Sequence, residues 1–107
     1  MAILKRTYTG DFDTLLVKVK NAVMNGSYTA SLEDGADYVT PTGRCSVMVF
    51  ERYSSWGNNR VSISVTLFQS GDKIELCAIT SGGSQAMFWK VNTLGEEAFL
   101  KTLERAL

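Results

Sequence analysis

Apolar positions along this chain keep two different rhythms. Near the start they recur every three or four residues, at Phe12, Leu15, Leu16, Val19 and Val23, the spacing that gathers side chains on one stripe of an α-helix. Asp11 stands where a carboxylate accepts from the free N–H groups of a helix start, and Asn25-Gly26 reads as a left-handed stop. In the middle of the chain the period falls to two. Three strands are predicted there, Arg44 to Tyr53, Asn59 to Gln69 and Asp72 to Ser81. A short strand over Ile3 to Tyr8 precedes the helix. After it, Tyr28 to Leu32 alternates, Asp34-Gly35 is a hairpin signal, and Ala36 to Val39 is a short partner. A last strand, Ala86 to Val91, leads into a helix opened by Thr93 and Glu96 as a capping box, with Phe99, Leu100, Leu103 and Leu107 on one stripe.

These elements predict an α+β fold: a single antiparallel sheet of about five or six strands around a central meander, with a helix in the N-terminal half and a C-terminal helix packed on one face. The whole chain, residues 1–107, reads as one domain. Parity then sets the register, because residues opposed across two strands share a face. Taking Val61, Ile63, Val65 and Leu67 as the core face of the middle strand gives the rows Cys45–Leu67–Ile74, Val47–Val65–Leu76 and Val49–Ile63–Ala78. Tight turns follow at Ser55-Trp56-Gly57 and Ser70-Gly71. The reverse face would then carry Met48, Phe50, Cys77 and Ile79 beside Ser62, Ser64 and Thr66, with Cys45 and Cys77 on opposite faces and both reduced.

Composition narrows the chemistry. Eleven basic and eleven acidic residues cancel, so no long-range field draws the chain to nucleic acid or to an anionic membrane. No apolar run reaches the roughly 18 residues of a transmembrane helix. The beginning MAILKRTYTG places its basic residues after the apolar ones, the reverse of a secretory signal, and a cytoplasmic location is expected. Histidine is absent, which removes the commonest general base and transition-metal ligand. With two cysteines alone, no zinc set of the Cys/His kind can form. No cofactor, metal or catalytic residue is expected.

The stretch ITSGGSQAMFWKV, from Ile79, holds the most unusual local composition. A phosphate-cradling loop needs a helix directly after it, and the segment that follows here is β-like. Gly82 and Gly83 are therefore read as a turn or bulge in preference to an anion-binding nest. Glu51 and Tyr53 fall on the core face by parity, at the sheet end beside Arg52 and Arg60. A buried carboxylate there could act as an acid or base, but a strand end beside a turn is more often wet. Of the two tryptophans, Trp56, at a turn tip, is the one placed to stack on a base or a ligand, and Trp89 is core.

The segments FERYSSWGNNRVSISVTL and AITSGGSQAMFWKVNTLGEEAFL resemble a family of small bacterial proteins that carries only a domain-of-unknown-function designation. The resemblance runs from Phe50 to Leu100. It implies a compact cytoplasmic α+β protein and brings no activity, cofactor or catalytic residue. The family pattern has a further glycine where this chain has Ser84 and an aromatic residue where it has Leu94.

Two functions are compatible with these features. One is a non-catalytic interaction module that forms a homodimer or meets a protein partner through the reverse face, at Met48, Phe50, Cys77 and Ile79. The other is a small-ligand binder or minor enzyme, its ligand unknown, with a site between sheet and helices near Glu51, Tyr53, Gly82 and Gly83. Nucleic-acid binding ranks last, because Arg44, Arg52, Arg60 and Lys73 are scattered.

Overall fold

The computed structural model describes residues 1–26, 28–53 and 60–82. In chain order these form β1 (Ala2–Thr9), α1 (Phe12–Asn25), β2 (Ser31–Thr40), β3 (Gly43–Tyr53), β4 (Arg60–Ser70) and β5 (Lys73–Gly82). The strands make one five-stranded sheet in the order β1-β5-β4-β3-β2, with every neighbouring pair antiparallel. The expected strand at Ala86 to Val91, the helix opened at Thr93, the turn at Ser55-Trp56-Gly57 and Trp89 lie outside the described residues.

The first helix forms where its apolar period indicates. Asp11 is its N-cap, with the carboxylate accepting from the Thr14 N–H at 2.9 Å and from the Thr14 hydroxyl at 2.8 Å. Those bonds, the side-chain one first, hold the Asp11 carboxyl below its ordinary pKa. Phe12, Leu15, Leu16, Val19 and Val23 are all buried against one face of the sheet, each worth about 1.5–3 kcal/mol on leaving water. The C-terminus departs from expectation. Gly26 has φ −79° and ψ −11°, so the helix ends on a right-handed residue whose N–H reaches the Val23 carbonyl at 3.3 Å. Arg44 ties the other end of the helix to the sheet. Its Nη1 lies 2.7 Å from Asp13 Oδ1, and its guanidinium stacks over the Phe12 ring at 4.3 Å.

Three sheet expectations are corrected. Asp34-Gly35 does not turn the chain: β2 runs continuously, with a bulge between Leu32 and Asp34 absorbing the irregularity. Asp34 Oδ1 accepts from the Gly35 N–H at 2.8 Å, and a Cβ on Gly35 would come within 2.9 Å of the Val47 carbonyl oxygen. The glycine therefore permits close approach to β3, a role that its sequence neighbourhood shares with turns. The β4–β5 hairpin turns at Gly71-Asp72, where Gly71 has φ +62° and Ser70 opposes Lys73. That is a two-residue slip from the expected pairing, so face parity survives.

The third correction changes a whole strand. Met48 opposes Val65 and Phe50 opposes Ile63, so the core face of β3 carries Ser46, Met48 and Phe50, all buried. Cys45, Val47 and Val49 move to the reverse face. Both alternating sets of β3 are apolar, so hydrophobicity alone does not choose between them. Volume does, since Met and Phe fill more of the layer beneath α1 than Val. The core rows are Ser46–Leu67–Leu76, Met48–Val65–Ala78 and Phe50–Ile63–Thr80.

Candidate functional site

On the face away from α1, pairing brings together three rows: Cys45–Phe68–Glu75–Thr7, Val47–Thr66–Cys77–Lys5 and Val49–Ser64–Ile79–Ile3. On β4 this face carries Ser64, Thr66 and Phe68, with Val47 and Val49 on one side of the two hydroxyl residues and Cys77 and Ile79 on the other. Val47, Val49, Cys45 and Cys77 are half-buried by their neighbours on the pleat, while Phe68 is 49% exposed, Ile79 38% and Ile3 58%. Tyr38, which opposes Cys45, continues the surface onto β2. Charges sit at its margins: Lys5 on β1, Lys73 and Glu75 at the hairpin end, Glu51 and Arg60 at the other.

The four residues expected to form one contact patch are thus divided. Cys77 and Ile79 lie on the reverse face, whereas Met48 and Phe50 are in the core. Their places beside Ser64 and Ser62 are taken by Val49 and Glu51. Both cysteines are free and share this face, which corrects the expectation of opposite faces. They remain unbridged for another reason. β4 runs between them and they are offset by two residues, a separation of about 11 Å at ordinary strand spacing, beyond the roughly 7 Å between Cα atoms that a disulfide spans.

The second candidate region also changes sides. Glu51 opposes Ser62 and Tyr53 opposes Arg60 on the reverse face, so they do not lie between sheet and helix. Arg60 is paired with Glu51, reaches Glu33 Oε1 at 3.7 Å, and lies 5.7 Å from the centre of the Tyr53 ring. Ser31 bonds Glu33, and the Ser62 hydroxyl donates to the Ser81 carbonyl at 3.4 Å. Gly82 opposes Val61 at the end of the β5 ladder; Gly83 lies outside the described residues. Glu51, Arg60, Ser62, Ser81 and Gly82 line a shallow cleft of about 200 Å³, smaller than the roughly 300 Å³ at which small-molecule pockets begin. Its charged groups are already paired, and their exposure keeps the pairs weak.

Arg52, by contrast, faces the core side of the sheet. Its row, Arg52–Val61–Gly82, is on the core face, and burial lowers the guanidinium pKa from its ordinary value. Among the described residues no three histidine, cysteine, aspartate or glutamate side chains cluster as metal ligands. No helix among them is long and apolar enough to cross a membrane.

Sequence reasoning missed Val47 and Val49 as members of the exposed surface, and Glu33 and Ser81 as neighbours of Glu51. Side-chain volume within β3 was the available signal for the valines. The pairing of Glu33 with Arg60 depends on the β2 bulge, which no residue pattern specifies. No curated protein matches the chain. A family model does, and it extends the likeness seen from Phe50 to Leu100 over every residue: matched along residues 1–107, the chain belongs to the family of unknown function DUF6054.

Proposed function

We propose that this protein is a non-catalytic interaction module whose working surface is the reverse face of the sheet, used to self-associate or to hold a protein partner. One observation carries the reading. Among the described residues, the face opposite α1 presents Val47 and Val49 on β3, Phe68 on β4, and Cys77 and Ile79 on β5, around Ser64 and Thr66, and exposed apolar surface of this kind marks contact sites in soluble proteins.

A small-ligand function near Glu51, Tyr53 and Gly82 has less support, since the cleft there is small and its charges are mutually satisfied. The test is the double variant Phe68→Lys with Ile79→Lys. Native protein should either enhance the fluorescence of the apolar-surface dye ANS or be associated, and the variant should do neither while keeping the parent circular-dichroism spectrum. A variant that fails to fold places these side chains in an interior and overturns the reading. So does a parent that is both dye-silent and monomeric.

A further inference from the structure

The reverse face is compatible with one partner in particular, and naming that partner rests on the interaction reading above. We infer that the face docks a second copy of this chain, sheet on sheet, across a two-fold axis parallel to the strands. The area suits the purpose. Five strands at about 4.8 Å spacing, with ladders of about nine residues at about 3.3 Å each, span about 24 by 30 Å, or roughly 700 Å². A stable interface takes about 800 Å² from each partner.

The orientation follows from strand order. β4 is central, so an axis along it lays β4 on β4, β3 on the second copy's β5, and β2 on the second copy's β1. Ser64, Thr66 and Phe68 then meet their own copies: the two short side chains let the sheets close along the middle of the axis, and the Phe68 rings meet at its hairpin end. On either side Val47 and Val49 meet Cys77 and Ile79 of the second copy. The outer strands add charge complementarity. On this face β1 presents Lys5, in the Cys77 row, and β2 presents Asp34, opposite Val49. Stacking β2 on β1 sets Lys5 one row from Asp34 of the second copy, an offset its long side chain can span, twice in each dimer. An axis across the strands would instead lay β1 on β1 and set Lys5 near its own copy, a like-charge contact that disfavours that arrangement. Aligned packing of two twisted sheets needs a crossing of only about 30°, which keeps the named rows in register near the axis. A closed two-fold also buries the surface without propagating.

Size exclusion with light scattering tests this on the intact chain. The parent should be a dimer at micromolar concentration, and Val49→Lys a monomer with the parent fold; Ile79→Lys serves if that variant fails to fold. Lys5→Glu and Asp34→Lys should each raise the dimer Kd at least tenfold, and the double charge swap should restore it. A dimer indifferent to both lysine substitutions overturns the face. Single charge variants without effect, or a swap that does not recover, overturn the axis. A monomeric parent overturns the second copy as partner. If that monomer enhances ANS fluorescence, the interaction reading stands with a different partner; if it does not, both readings fall.

Discussion

Truncating Phe50 measures the register of β3 in energetic terms. Phe50 is 0% exposed and packs in the cluster with Ile63, Val65 and Val23, whereas Phe68, on the opposite face of the same sheet, is 49% exposed. A fully buried phenylalanine removes about 150–250 Å² from water, and at about 25 cal/mol per Å² that is roughly 4–6 kcal/mol for the whole side chain. Phe50→Ala keeps part of that burial and leaves a cavity, so the expected loss is about 3–5 kcal/mol. Against a total stability of about 5–15 kcal/mol, this is a large fraction. Phe68→Ala gives up a half-exposed ring and should cost about 1 kcal/mol or less. Urea unfolding followed by circular dichroism reads both, and the slope should be unchanged if the denatured states are alike. At about 4–8 °C per kcal/mol for a small domain, the thermal midpoint of Phe50→Ala should fall by at least about 12 °C. Equal losses for the two variants, or a loss under about 1 kcal/mol for Phe50→Ala, would refute the burial of the Met48–Phe50 set and return Val47 and Val49 to the core.

Three further substitutions probe other links between sequence and fold. Arg44→Ala removes both the Asp13 ion pair and the stack on Phe12 and should cost about 1 kcal/mol; a double-mutant cycle with Asp13→Ala should show coupling, and strict additivity would argue that the pair is idle. Asp11 contributes only while ionised. Its carboxyl titrates below the unfolded value of about 3.9, so the contribution is fully present above that pH and disappears as pH falls through the lower folded value. Asp11→Asn should therefore flatten the acid limb of the stability curve below about pH 4, and an unchanged limb would show that the cap is not formed. Gly35→Ala drives a Cβ to 2.9 Å from the Val47 carbonyl oxygen, an overpacking expected to cost about 1–3 kcal/mol; urea unfolding indistinguishable from the parent would contradict the close approach at the bulge.

What was legible in the sequence follows from how many features agreed at each place. Around α1, the apolar period, the Asp11 cap and the burial all point the same way, and the helix forms as read. The three long strands also lie within a residue of their expected bounds. Errors arose where two arrangements satisfied the same pattern. In β3 both alternating sets are apolar, so a one-residue slip exchanged Met48 and Phe50 for Val47 and Val49 and put Glu51 and Tyr53 on the other side of the sheet. Asp34-Gly35 supports either a hairpin turn or a bulge, and the choice depends on pairing with β3, which is a tertiary fact. The hairpin at Gly71 kept its faces because its slip was even. The candidate surface was consequently half legible: Cys77 and Ile79 were placed correctly, and their partners across β4 were not.

In the proposed assembly, the face bearing Cys45 and Cys77 is an outer surface that association covers. Alkylation of the two thiols by a maleimide, followed by mass spectrometry over a range of protein concentrations, tests it most directly. Both thiols are predicted to react readily in dilute native protein and to become protected as concentration rises, with Val49→Lys reactive throughout. Thiols protected at every concentration until the chain is denatured would contradict the claim, because the face would then be interior. Reaction at a rate independent of concentration would contradict its association with a second copy.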